Sequence, residues 1–563
     1  MAQAWVLGTI PERAGTYFRV ETDSVTTVGA VNSVAAVVFQ SNWGKLNTVY
    51  DLDRTQQNNL RELFGTGDGV NAIRELFKGG VSQVKAVRVG ADDGYGMGNW
   101  LYASREEVVA SWKKRPVPAN GELSILIGRL ANVNSVVNFV VTTAKGKNLE
   151  LTTDYTMLTT ESADGKTYTK RTIKFTTAGL AKVTADGGKV SVYERFLPPA
   201  TKLVRLWSRY VGDREFTMTL KTDPVTNMRQ FLFYDGNILF DKVEFTKGGD
   251  EAKKFVDTVN AQSTKFRARY DAAGILADFA GRKNYPGKNP TANVAAYSKG
   301  LDILERHYWN TITHDRNSTT LNTLLPEYIR QVHDSGHMGI AVIAGWSTEK
   351  WNDRLNFAKA INDWRVVYLP SGWTDINGTS FNGWKAANRI AGMIASCETH
   401  QSLTHATISD ALSLLEPKTH YEIVKGIQSG CLMLSLSDDD LVWIDTAITT
   451  LISPDSLHDD GWKKIRRVKC RQVLMTRINR TADKLIGKLN NSPDGRATLI
   501  AAFNSVVREM VASGDLVEGS RFEEDPRYPP SGDMAYFIGI IRDYDSLEKI
   551  FLSFSFSYGQ EFD

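Results

Sequence analysis

Residues 34–89 read VAAVVFQSNWGKLNTVYDLDRTQQNNLRELFGTGDGVNAIRELFKGGVSQVKAVRV. Val34 to Phe39 is an unbroken apolar run, the pattern of a strand covered on both faces. SNWGKLNTVYDLD is expected as a loop into a helix near Thr55, with Leu60, Leu63 and Phe64 on one side and Gly65 as the stop. A second helix follows, with Val70, Ile73, Leu76 and Phe77 on one face and Gly79-Gly80 at its end. VKAVRV at 84–89 is the next strand. Together these make a compact strand, helix, helix, strand unit.

Downstream, residues 270–400 alternate helices with short apolar strands. A strand is expected at 275–280, helices in SKGLDILERHYW and LLPEYIRQVHDSG, and strands in MGIAVIAG and RVVYLPSGW. Between those two strands, STEKWNDRLNFAKAINDW is expected as a helix capped by Ser347, and GWKAANRIAGMIASCE closes the run as another. That order implies crossovers and a mainly parallel sheet. Residues 94–200 differ: SILIG, NSVVNFVVTTAKGKNLELTT, KTYTKRTIKFTTA and GGKVSVYERF alternate around Asp164-Gly165 and Gly187-Gly188 turns, as in an antiparallel sandwich. Later, YEIVKGIQSG is a helix, Asp438-Asp439-Asp440 turns between two strands, and long helices are expected over 462–489 and 493–513, the second capped by Ser492.

Size and composition set further bounds. A chain of 563 residues exceeds a single core, so roughly three to five domains or subdomains are expected. Its 67 basic and 64 acidic residues give +3, which argues for neither nucleic acid nor an anionic membrane as a general partner. Cys397, Cys431 and Cys470 have no paired spacing and fit a reducing compartment. The opening MAQAWVLGTI lacks the pattern of a signal peptide, and no run has membrane-spanning length; folding in cytoplasm is expected.

Two further features bear on assembly. Residues 549–563, KIFLSFSFSYGQEFD, place Ile550, Leu552, Phe554, Phe556 and Tyr558 on one side of a two-residue period and serines on the other. Such a strand either closes its own domain or joins a sheet edge on another molecule. The chain also opens with an extended apolar segment, with a short strand candidate over Thr16, Phe18 and Val20. The second feature is charge. Residues 461–490 carry ten basic residues and one acidic, whereas 515–548 carry nine acidic and three basic. Apolar positions at three-four spacing leave Lys463, Lys464, Arg466, Arg467, Lys469 and Arg471 for an outer face, suited to solvent, to RNA or an anionic lipid surface, or to the acidic segment of a neighbouring identical subunit.

Motif chemistry is sparse. GIAVIAGWSTEK lacks the Gly-Lys-Ser/Thr of a phosphate loop, and GTGDGVNAIRE follows a helix where a dinucleotide site needs a strand. His333 with His337 and His400 with His405 have no completing carboxylate, and the three aspartates at 438–440 suit a solvated turn. No catalytic residue, cofactor or metal is expected.

The order and spacing of VAAVVFQSNWGKLNTV, LFGTGDGVNAIRELFKGG and VKAVRVG resemble the N-terminal core of contractile bacteriophage tail sheath proteins. Gly300 to Leu304 resembles that family's G-x-D-x-L helix. Ala387, Arg389, Ala391, Gly392, Ile394 and Ala395 resemble its A-x-R-x-A-G-x-I-A helix, and Asp545, Glu548, Lys549 and Ile550 its D-x-x-E-K-I signature. The resemblance covers roughly residues 12–95 and 205–560.

With the β insertion (94–200) read from its own strand pattern, the resemblance implies an α+β multidomain fold with an N-terminal arm (1–22), a sheath core in two parts (23–93 and 401–548), a small β/α subdomain (201–269), an α/β domain (270–400) and a C-terminal strand arm (549–563). It further implies a non-enzymatic subunit of a helical sheath, stacked as rings on a tail tube and bounded by baseplate and terminator proteins. The virion tail is the implied location, after assembly in host cytoplasm, with contraction driving the tube through an envelope for genome delivery. Neither nucleic acid nor direct membrane insertion is implied. The sheath of a bacteriocin or contractile secretion system is an alternative, and an enzyme built on 270–400 a more distant one.

Overall fold

The computed structural model describes residues 3–4, 17–18, 33–126, 136–161, 169–196, 200–454 and 458–556. The Asp164-Gly165 turn lies outside the described residues. Two compact units are present, one made of residues 1–95 and 289–563 and the other of residues 96–288.

A six-stranded sheet organises the first unit, in the order Val366–Leu369, Ile340–Ala344, Thr311–His314, Val34–Phe39, Gln83–Arg88, Val49–Asp53. The first five strands run parallel and the last is an antiparallel edge. Val34–Phe39 is wholly buried. Its Ala35, Val37 and Phe39 meet the layer that holds helices Asp68–Lys78 and Trp384–Ser396. Val34, Ala36 and Val38 meet the layer of Val294–Leu304, Thr319–Asp334 and Trp351–Ile361. Each fully buried aliphatic side chain of such a strand contributes about 1.5–3 kcal/mol.

This arrangement corrects the expected separation of the 23–93 core from a 270–400 domain. Val34–Phe39 lies between Gln83–Arg88 and Thr311–His314, so the two stretches share one sheet. Two strands of this sheet escape the sequence reading: Thr311–His314 is four residues, TITH, with no apolar run, and in Val49–Asp53, expected as loop, only Leu52 is buried. Ser347 is not a helix cap. Its hydroxyl accepts from Asn382 Nδ2 at 3.0 Å, and the helix begins at Trp351 after Lys350, which makes no side-chain cap bond.

Helices Asp68–Lys78 and Trp384–Ser396 cross in close contact. A Cβ on Gly392 would stand 2.4 Å from the Leu76 carbonyl oxygen and 2.9 Å from the Gly79 Cα. Beside this crossing, buried Arg389 donates to Glu75 Oε2 at 2.9 and 2.6 Å and to the two oxygens of Asp410 at 2.6 and 2.9 Å. The arginine and glycine of the A-x-R-x-A-G pattern thus fasten one helix onto the other.

The second unit holds a four-stranded sheet (Asn148–Leu149, Val136–Thr143, Lys189–Phe196, Val108–Pro116) and a three-stranded one (Tyr155–Glu161, Thr169–Phe175, Glu122–Leu126). Both are antiparallel, and Val141, Val190 and Val192 of one share a core with Leu123, Tyr155 and Ile173 of the other, the expected sandwich. A buried ion pair joins Arg171 to Glu194 across it at 2.7 Å. Helix Thr177–Ala185, absent from the sequence reading, starts where Thr176 Oγ1 accepts from the Gly179 N–H.

Two more antiparallel sheets complete this unit. One is Phe266–Tyr270, Lys202–Ser208, Gly98–Tyr102; the other is Ile238–Thr246, Met228–Asp235, Thr217–Thr222, Phe279–Lys283. Helix Glu251–Gln262 and a phenylalanine cluster fill their core, with Phe233 stacked on Phe266 at 3.8 Å. Gly98–Tyr102 pairs with Lys202–Ser208, so the sandwich starts later than residue 94. The strand expected at 275–280 is Phe279–Lys283, which pairs with Thr217–Thr222 rather than joining the parallel sheet.

Candidate functional site: a basic helix and the segment it holds

Helix Ile465–Leu485 follows a short 3-10 turn, Asp460–Lys463. Its Cys470, Val473 and Leu474 pack on Val506, Val507 and Met510 of helix Pro493–Ala512, which Ser492 caps. An antiparallel pair, Arg521–Glu524 with Phe537–Ile540, lies against the second helix through Phe503 and Phe522.

The acidic segment after that pair returns to the basic helix of the same chain. Arg467 and Arg471 stand one helical turn apart, and both close a fork on Asp543. Arg467 Nε and Nη2 donate at 2.9 Å each, and Arg471 Nε and Nη2 at 3.1 and 3.2 Å. Burial raises the Asp543 carboxyl, but the two guanidiniums outweigh it and hold the pKa at about 2. Arg471 also reaches Asp459 at 3.1 Å and lies over the Trp462 ring at 4.5 Å. Five residues on, Glu548 accepts from Ser402 Oγ and Thr404 Oγ1 at 3.0 Å each and pairs with Lys464.

Two other basic residues point inward. Buried Arg466 donates from Nε to the His400 carbonyl at 3.2 Å. Lys469 Nζ donates to the carbonyls of Ile394, at 2.7 Å, Ala395, at 3.1 Å, and Cys397. These carbonyls end helix Trp384–Ser396, where intrahelical donors run out. Burial lowers the Lys469 ammonium to about 8.

The outer face expected of the six basic residues is therefore not free. Arg466 and Lys469 are interior, Lys464, Arg467 and Arg471 are engaged by the chain's own carboxylates, and Lys463 pairs with Asp460 at 2.8 Å. The charge reversal between 461–490 and 515–548 was the signal, and its first use is within the chain.

Residues 549–556 form no strand and pair with nothing among the described residues. Ile550, Leu552, Phe554 and Phe556 are exposed, and so is Phe551 on the opposite parity, at 91%. Among the described residues no core receives these side chains, which speaks against the closing-strand alternative. A groove of about 860 Å³ opens at the segment's root, lined by His405, Ile427, Ile448, Lys464, Glu548 and Lys549 among others. Tyr558, Thr16 and Val20 lie outside the described residues. Phe18 belongs to strand Tyr17–Phe18, which pairs in parallel with Gln3–Ala4.

At the carboxyl ends of Thr311–His314 and Val34–Phe39, the region where an α/β enzyme places its chemistry, the polar side chains bond to one another. His314 Nε2 lies 2.9 Å from Asn322 Oδ1, and buried Asp315 accepts from the Gln40 N–H at 2.6 Å and from the Tyr297 hydroxyl. His333 meets Trp364 edge-on and His337 packs on Trp309, so these histidines serve separate contacts. Among the described residues no helix is long and apolar enough to cross a membrane.

Comparison with known proteins follows the same lines. Residues 291–450 match the family model described as phage tail sheath protein central domain. The sheath tail protein of Desulfitobacterium hafniense is similar in fold, with 12% identity, a TM-score of 0.58, and coverage of 91% of this chain and 97% of that one. For the sheath tail protein Lin1278 of Listeria innocua the identity is 12%, the TM-score 0.58 and the coverage 92% and 98%. No curated protein matches the chain. Residues 291–450 thus carry the match to the phage tail sheath protein central domain, and the chain shares its α+β multidomain fold with two sheath tail proteins along nearly their whole length.

Proposed function

We propose that the chain is the polymerising subunit of a contractile tail sheath. It assembles as a helical sleeve of stacked rings around a tail tube, between baseplate and terminator proteins. The sleeve then shortens to drive the tube through the envelope of a host cell for genome delivery. The role is mechanical, and the virion tail is its location.

The observation that carries this reading is the exposed apolar segment at 549–556, rooted in the folded unit by Asp543 and Glu548. An extended, unpaired segment of this kind gains most by completing a sheet on another molecule. A rigid body joined to its neighbours through such links can rotate against them without losing them, which is the mechanical need of a contracting sleeve. The tube is met by exposed Lys484 in the last turn of the basic helix and by exposed Lys488 just beyond it. Deleting residues 549–563 is the test. The truncated protein is expected to be folded, soluble and monomeric, and tubes of normal diameter from it would refute the linking role.

A further inference from the structure

In the second unit, one face of the sheet Phe266–Tyr270, Lys202–Ser208, Gly98–Tyr102 is buried through Leu101, Val204, Leu206, Phe266 and Ala268. The other face carries aromatics and cations. Trp100, Arg205 and Arg269 stand side by side on its three strands, and Trp207 and Arg267 are directly paired in the next row. Lys202 Nζ lies 4.8 Å and the Arg205 guanidinium 5.9 Å from the Trp100 ring centre, and Arg282 lies 5.8 Å from that of Tyr102.

Arg205, Arg267 and Arg269 are exposed. Arg269 reaches Asp271 at 3.2 Å, while among the described residues neither Arg205 nor Arg267 enters an ion pair. Like charges directly opposite on neighbouring strands repel, so the Arg205–Arg269 pairing weakens the sheet that bears it. A partner with clustered carboxylates on a compact, partly apolar projection would relieve that repulsion and cover the tryptophans.

The chain carries such a projection. The hairpin of Met433–Leu436 and Val442–Thr446 turns through Asp438, Asp439 and Asp440, all exposed, with Asp440 in the left-handed region at φ 59°. Exposed Leu436 and Leu441 flank the three carboxylates, which make no side-chain hydrogen bond or ion pair among the described residues.

We propose that the Asp438–Asp440 hairpin tip of one copy docks on the Trp100, Arg205, Arg267, Arg269 sheet face of another copy. Three carboxylates meet three guanidiniums, and the flanking leucines meet the indole rings. This contact rests on the sheath reading and adds to it a surface that selects the neighbouring subunit.

The test is a charge exchange on the full chain. R205E/R267E/R269E and, separately, D438K/D439K/D440K are each expected to raise the concentration needed for tubes at least tenfold, with circular dichroism unchanged. All six changes on one chain are expected to restore assembly. A second pair of variants covers misfolding: R267C with D439C on one chain is expected to give disulfide-linked oligomers in assembled tubes, with neither single cysteine doing so. Tubes indifferent to both reversals, no recovery in the combined variant, or no cross-link within formed tubes would overturn the docking and leave the sheath reading standing. Wild-type protein that never assembles would overturn both.

Discussion

Asp543→Asn tests the clasp between the basic helix and the segment it holds. The wild-type carboxylate is nearly enclosed, its side chain 8% exposed, and takes four charge-assisted bonds from Arg467 and Arg471. A carboxyl held at about 2 against an ordinary 3.8 corresponds to ~2.5 kcal/mol of stability at neutral pH. Asparagine keeps the shape and some hydrogen bonding but leaves the two guanidiniums with only the exposed Asp459 as counter-charge, so a loss of ~2–3 kcal/mol is expected. Because the folded pKa is depressed, this contribution is full above about pH 4 and disappears as pH falls through about 2. Amide exchange of Pro493–Ala512 and Phe537–Ile540 at pH 7 should quicken by roughly 30-fold to 150-fold, the equilibrium equivalent of that loss. In urea titrations, the gap between variant and wild type should close between pH 4 and pH 2. Unchanged exchange at pH 7, or a gap that persists at pH 2, would refute the clasp.

Three further outcomes follow from the first unit's interior. Arg389→Met should cost ~3–5 kcal/mol by urea unfolding, since it leaves buried Glu75 with only the half-exposed Lys78 ammonium at 3.3 Å, and adding Glu75→Gln should recover part of it. Gly392→Ala forces a Cβ against the Leu76 carbonyl and should cost ~1–3 kcal/mol or more, read as a lower thermal midpoint. Lys469→Met is expected to show a pH signature. The folded ammonium titrates at about 8, below an unfolded lysine at 10.5, so its burial penalty is full below pH 8 and relieved as pH rises from about 8 to 10.5. Wild type should therefore gain on the variant over that window, by at most ~1.4 kcal/mol per pH unit; a flat difference would mean the lysine is not buried as charged.

What the sequence made legible follows from how each residue is buried. Val34–Phe39 is covered on both faces, and its apolar run says so directly. Thr311–His314 is equally central, yet its polar atoms are used inside, with Thr311 Oγ1 donating to the Ala391 carbonyl at 3.1 Å, and no local pattern announces a strand whose hydrogen bonds are tertiary. Val49–Asp53 is hidden for the opposite reason, being an edge with one buried side chain. Helical spacing correctly groups Arg467 with Arg471 but cannot say what stands opposite them. Asp543 is brought there by a two-stranded turn that the sequence reading missed, and Lys469 is drawn inward by carbonyls of a helix more than seventy residues earlier. The exposed run at 550–556 is legible as apolar alternation, whereas its lack of a partner among the described residues needed the structure.

The central claim is that this chain polymerises as a sheath. Negative-stain microscopy of the purified full-length protein, over a range of concentrations and salt, tests it most directly. Striated hollow tubes with a regular repeat, wide enough to enclose a tail tube, are the result expected. A monodisperse monomer under all of those conditions, with residues 549–556 still exposed to protease, would contradict it.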